Sequence, residues 1–225
     1  MSKKDIALEK IESQTGDNPK VVIIWMHGLG ADGNDFAPVV PQFNIQGLPI
    51  KFVFPHAPKI PVTINGGMVM RAWYDILLMD IGKHADKDGV MASEKLVHEL
   101  IDEQIKLGFK HDQIVLAGFS QGGAMSLQVS TRLTQKIAGI IALSSYLPVP
   151  ELLAEEKNTT NLQTPIFMGH GTQDPVVPYS LGESSRDALL KADYSVDWHS
   201  YPLQHGVSME ELTDIKQWLV KNITH

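Results

Sequence analysis

Short, wholly apolar runs alternate along this chain with segments whose apolar residues recur at helical spacing. Val21–Met26 (VVIIWM) contains no charged or strongly polar position, the pattern of a strand covered on both faces. Ile50–Phe54 (IKFVF) predicts a second strand, stopped by Pro55, and Ile114–Gly118 (IVLAG), Ile137–Leu143 and Pro165–Met168 predict three more. Between them the period changes. Leu96, Val97, Leu100, Ile101 and Ile105 predict a helix from Ser93 to Leu107, with Ser93 as its N-cap. Gly122–Leu133 and Ser180–Lys191 predict two further helices, and Val207–Val220 a closing amphipathic one. Tyr194–Tyr201 alternates in the manner of an edge strand. Strands that take turns with helices imply an α/β fold, a mostly parallel sheet with helices on both faces. Reactive groups in such a sheet gather at the carboxyl ends of the strands. No repeat, low-complexity tract or linker interrupts the pattern, so residues 1–225 are expected to form a single domain.

Composition narrows the function. The formal net charge is −7 and no Lys/Arg block is present, which argues against nucleic acid as a partner. The chain has no cysteine, so disulfides, cysteine-based zinc sites and thiol nucleophiles are excluded together. No apolar run reaches the roughly 18–20 residues of a membrane span, and Met1–Lys10 carries no apolar stretch of the kind a secretory signal needs. A cytoplasmic location is the corresponding expectation, with weak peripheral contact to a membrane surface left open.

One pentamer carries the chemistry. Gly118-Phe119-Ser120-Gln121-Gly122 is a G-x-S-x-G motif placed between a predicted strand and a predicted helix. A serine at such a turn is held in a strained conformation that lifts its hydroxyl above the sheet, and its neighbours must be small for strand and helix to approach. The hydroxyl needs a base. Of nine histidines, His205 lies in the loop between the last strand and the last helix, where the chain order Ser, Asp, His of an α/β-hydrolase puts the base. His27 and His170 also end strands and read as loop-shaping residues; His84, His98, His111 and His225 read as surface. Asp174 follows the strand before the last and is the expected acid, while Asp193 and Asp197 fit that place less well. The developing oxyanion needs backbone donors, expected from Gln121 N–H and from Leu29 N–H in His27-Gly28-Leu29-Gly30.

With these residues in place, the sequence resembles the phospholipase/carboxylesterase family that contains the acyl-protein thioesterases. The resemblance runs from about Val21 to Val220 and rests on several blocks. They are His27 to Ala31, Pro61-Val62-Thr63-Ile64-Asn65, Met70-Arg71-Ala72-Trp73-Tyr74-Asp75, Gly118 to Ala124, Leu143-Ser144 with Tyr146-Leu147-Pro148, and His170-Gly171 with Asp174 to Pro178. The P-V-T-x-N and R-A-W-Y-D blocks are more diagnostic than the serine motif. The resemblance implies hydrolysis of carboxylic esters or thioesters of acyl chains, without a metal or organic cofactor. Two departures stand out: Gly206 follows His205 where many relatives have serine, and the cysteine some eukaryotic relatives carry is missing. Both suggest the bacterial branch.

The connection Ser145–Thr164 is about twenty residues, too short for a cap domain with its own core. The acyl-binding surface is therefore expected from Pro55–Met79, which is unusually apolar, with Met68, Met70, Trp73 and Leu77 as the substrate-binding residues. An uncapped site admits an acyl chain on a bulky carrier, such as an acylated protein or a lysophospholipid. Lysophospholipase activity with the same residues is the alternative enzymatic reading, and a non-catalytic lipid- or acyl-binding protein the alternative from another class. Oligomeric state has no signature in the sequence.

Overall fold

The computed structural model describes residues 8–78 and 86–223; Met79, His84 and His225, named above, lie outside them. Three strands open the fold: β1 (Lys10–Gln14), β2 (Val21–Met26) and β3 (Ile50–Pro55). A hairpin of β4 (Lys59–Val62) and β5 (Met68–Arg71) follows. Then come α1 (Lys87–Lys106), β6 (Ile114–Phe119), α2 (Gln121–Ser130) and β7 (Gly139–Leu143). A single-turn α3 (Leu153–Glu156) leads to β8 (Ile166–Gly171), α4 (Tyr179–Lys191), β9 (Val196–Tyr201) and α5 (Met209–Ile223). Seven strands form one sheet in the order β1-β3-β2-β6-β7-β8-β9, parallel throughout except for the antiparallel pair β1–β3.

The apolar runs are continuous because the sheet is covered twice. In β2, Val22, Ile24 and Met26 pack with Val97 of α1, Leu127 of α2 and Leu189 of α4 on one face. Val21, Ile23 and Trp25 pack with Leu212, Ile215 and Trp218 of α5 and with Phe43 on the other. This is the α/β-hydrolase architecture, and among the described residues only turns and α3 lie between β7 and β8, so no cap domain covers the sheet edge. No helix among the described residues is long and apolar enough to cross a membrane.

The structure corrects two local expectations. The first helix does not start at Ser93. It starts at Lys87, capped by Asp86, whose Oδ1 accepts the Gly89 N–H at 3.0 Å. Val90, fully buried one heptad before Val97, is the apolar position that extends the helical stripe backwards. Ser93 is buried inside α1, where its hydroxyl donates to the Trp73 carbonyl. The second correction is the hairpin inside the apolar connection: Gly66 and Gly67 turn it with φ of 67° and 77°, a conformation that glycine adopts without strain.

Candidate active site

Ser120 stands at the carboxyl end of β6, one residue before α2, with φ 55° and ψ −119°. That conformation is costly for a residue with a Cβ and persists only where the surroundings enforce it. They do so here. Ser120 N–H donates to Leu143 O at 2.8 Å, and Ser120 O accepts from Ala124 N–H at 3.0 Å and from the Ser145 hydroxyl at 2.9 Å. The strand and the helix close to contact on either side. A Cβ on Gly118 would stand 2.2 Å from the Gly122 carbonyl carbon, and one on Gly122 would stand 2.2 Å from Met26 O.

His205 comes from the loop between β9 and α5, and Asp174 from the loop after β8. The structure brings both to Ser120. His205 Nε2 lies 3.0 Å from Ser120 Oγ, and His205 Nδ1 lies 2.7 Å from Asp174 Oδ2. With Nδ1–H donating to the carboxylate, Nε2 is left as the acceptor for the serine proton. The Asp174 side chain is fully buried, and its other oxygen accepts Val176 N–H at 2.8 Å and Val177 N–H at 2.9 Å. Pro175, which has no N–H, starts the turn that aims those two donors. The Phe119 ring packs on the imidazole with centroids 4.7 Å apart. A hydroxyl, an imidazole and a carboxylate joined in series can draw the proton from the hydroxyl as it attacks.

The rival histidines do not reach Ser120. His27 is buried; its Nε2 accepts Ala57 N–H at 3.0 Å and its Nδ1–H donates to Gly28 O at 2.7 Å, so both nitrogens are used by the backbone. His170 donates from Nε2 to Val177 O at 2.9 Å. Burial lowers the pKa of both, which keeps them neutral. Each shapes a loop, His27 the one that carries Leu29 and His170 the one that carries Asp174.

A cavity of about 640 Å³ opens beside Ser120. Leu29 and Gln121 line it, and neither of their backbone N–H groups donates to an acceptor among the described residues. The apolar wall includes Ile64, Ile76, Tyr146, Val176 and Leu181, and among the described residues no charged side chain lines it. None of Met68, Met70, Trp73 and Leu77 does so either. Met68, at the start of β5, is 64% exposed and Leu77 is 40% exposed. Met70 receives the Asn65 amide on its sulfur at 3.3 Å, and Trp73 is buried in the core. The apolar connection does contribute to the cavity, through Ile64 and Ile76, whose backbones are tied by Ile64 N–H to Ile76 O at 3.0 Å. Its two diagnostic blocks meet there: Asp75 accepts from Thr63 N–H at 2.7 Å and from the Thr63 hydroxyl at 2.5 Å. Among the described residues no group of three or more His, Asp or Glu is placed to hold a metal ion.

Comparison with known proteins agrees with this architecture. The sequence matches the phospholipase/carboxylesterase family over residues 7–223. The chain belongs to that family. Acyl-protein thioesterase 1 of Neurospora crassa is 42% identical over 211 residues, covering 89% of this chain and 86% of that protein. The crystal structure of Arabidopsis thaliana SOBER1 superimposes with a TM-score of 0.85 at 32% identity, over 90% of this chain and 99% of that one. Maize acyl-protein thioesterase 2 gives a TM-score of 0.83 at 28% identity, over 95% and 98%. The expected affinity to the bacterial branch is not borne out: acyl-protein thioesterases of several fungi are 35–42% identical to this chain. That expectation rested on two single features, Gly206 and the absence of cysteine.

Proposed function

We propose that this member of the family hydrolyses acyl thioesters and esters through a covalent acyl-enzyme on Ser120. The coarse activity follows from the family: the chain is a hydrolase of acyl esters and thioesters. In the finer reading, His205 Nε2 accepts the Oγ proton while Oγ attacks the acyl carbon. Asp174 holds the imidazole and stabilises it once charged. The Leu29 and Gln121 N–H groups receive the oxyanion. Collapse of the intermediate expels the thiolate or alkoxide, which takes the proton from His205. Water then attacks the acyl-enzyme by the same route and regenerates the serine.

The observation that carries this reading is the hydrogen-bonded series Ser120–His205–Asp174 opening on a cavity with an apolar wall. A protein that only bound lipid would have no use for a strained serine at 3.0 Å from an imidazole. The lack of charge among the described wall residues favours the neutral acyl chain, not a charged head group, as the group bound inside. The short span between β7 and β8 leaves the opening free for a bulky carrier. The names of the curated relatives support S-acylated protein as the carrier.

The test is a rate panel that crosses acyl length with leaving group: S-acyl peptides, oxyesters and lysophospholipids carrying acetyl or octanoyl chains. Faster turnover of octanoyl than acetyl substrates is expected, with S-acyl peptides among the substrates and activity reduced on the order of 10⁴-fold or more in Ser120→Ala. Hydrolysis of lysophospholipid alone would favour the lysophospholipase reading, and substantial activity in Ser120→Ala would remove the serine assignment.

A further inference from the structure

We propose that Trp73 is a positioning residue of the reaction, which holds the two backbone donors of the oxyanion site in register with one another. The inference rests on the catalytic reading above.

Those donors belong to different loops. Leu29 follows β2 and Gln121 follows β6, and the two strands are paired in parallel only as far as Met26 and Gly118. Beyond that pair the sheet no longer sets the distance between them, yet an oxyanion has to be met by both N–H groups to within a few tenths of an ångström. The segment Arg71–Tyr74 supplies the missing connection. On the first loop, the Trp73 indole N–H donates to His27 O at 3.0 Å, and Gly30 N–H donates to Arg71 O at 2.8 Å. These contacts bracket Leu29 from both sides. On the second loop, Trp73 backbone N–H donates to Gln121 Oε1 at 2.8 Å, and Gln121 Nε2–H donates to Tyr74 O at 2.7 Å. A donor at one end and an acceptor at the other fix which way the Gln121 amide points.

Both side chains are 2% exposed. A buried network of this kind, with the Gln121 amide bonded at both its oxygen and its nitrogen, resists displacement far more than the same bonds would in water. The segment is itself anchored to α1, because the Ser93 hydroxyl donates to Trp73 O. The R-A-W-Y-D block therefore has a chemical task that packing alone would not require. Its tryptophan reaches one loop with its ring and the other with its backbone.

The test uses the full chain with two substitutions. Trp73→Phe keeps most of the ring and the backbone N–H but removes the indole donor to His27. Gln121→Met keeps volume and the backbone donor to the oxyanion but removes both amide contacts. Each is assayed for kcat and KM on an octanoyl thioester, and for affinity toward an octyl trifluoromethyl ketone, which adds to Ser120 as an alkoxide-bearing hemiketal. Rates are expressed per site counted by end-point fluorophosphonate labelling. The expected result is a fall in kcat of about 10- to 100-fold with KM within about twofold of wild type. The ketone affinity should weaken by the same factor as kcat, and the shape of the pH–rate profile should not change. A raised KM with kcat intact would instead make Trp73 part of the acyl wall and overturn the proposal. Wild-type kcat in both variants, or a fall in kcat with unchanged ketone affinity, would overturn it as well. If Trp73→Phe does not fold, Gln121→Met decides by the same criteria. Ser120→Ala is run alongside: full activity there sinks the catalytic reading itself, whereas an inactive Ser120→Ala beside two wild-type-like variants sinks only the role of Trp73.

Discussion

Gly122, two residues after Ser120, and Gly206, next to His205, differ in what they tolerate. A methyl group on Gly122 would stand 2.2 Å from Met26 O and 2.6 Å from His27 O, both backbone atoms in or beside a buried strand that cannot retreat. Gly122→Ala is expected to cost about 3 kcal/mol or more in stability and to abolish activity. Gly206 has nothing within 4 Å of such a methyl. Gly206→Ser should therefore leave the melting temperature unchanged and kcat/KM within about twofold of wild type. A thermal melt and an esterase assay on the two variants check both. That Ser120, Asp174 and His205 would meet at one edge of the sheet was readable from the sequence, because each ends or follows a strand in a fixed chain order. Trp73 was not readable in its place. Its apolar ring suggested a ligand surface, and nothing in a sequence shows that an indole N–H meets a carbonyl at His27, 46 positions away.

At the level of elements, the parallel strands were legible almost residue by residue, because burial on both faces leaves an uninterrupted apolar run. The hairpin was not. Lys59–Val62 and Met68–Arg71 are short and mixed in polarity, and the glycine pair between them was the signal of a turn. β1, with four polar residues of five (KIESQ) and none fully buried, passed unnoticed for the same reason. The placement of the hairpin has a functional consequence. Its exposed residues Met68 and Val69 do not line the cavity, while Ile76, just after it, does. Ile76→Asp is therefore expected to depress hydrolysis of octanoyl esters strongly and to leave acetyl esters within a few-fold of wild type. Each buried methylene otherwise adds about 0.8 kcal/mol, close to fourfold in kcat/KM. Met68→Glu should change neither substrate. Chain-length profiles of the two variants separate the cases, and a Met68→Glu that selectively loses octanoyl turnover would return the hairpin's outer face to the acyl site.

Across the whole molecule, the sheet gathers Ser120, Asp174 and His205 at one edge by placing them after β6, β8 and β9. α5 closes the opposite face and buries one carboxyl, Glu211. This side chain is 1% exposed, its Oε1 has no hydrogen-bond partner among the described residues, and it lies against Gly169 of β8. Burial, reinforced by the charge of Asp214, pushes its pKa from 4.5 up to about 8. A carboxyl whose folded pKa is raised leaves stability intact below its unfolded value. The stability is then lost as pH rises through the folded one, at up to about 1.4 kcal/mol per unit. Denaturant unfolding should accordingly show the wild type weakening between about pH 5 and about pH 9, and Glu211→Gln weakening much less. Equal slopes for the two proteins would mean that Glu211 ionises as freely in the fold as outside it.

The central claim is that Ser120 is the nucleophile, and covalent labelling tests it most directly. The protein is incubated with an alkyl fluorophosphonate, weighed intact and mapped by peptide mass. The expected result is a single adduct on Ser120 in the wild type, none in Ser120→Ala, and greatly slowed labelling in His205→Ala with the fold preserved. An adduct on any other serine, or a Ser120→Ala protein that labels and turns over substrate at the wild-type rate, would contradict it.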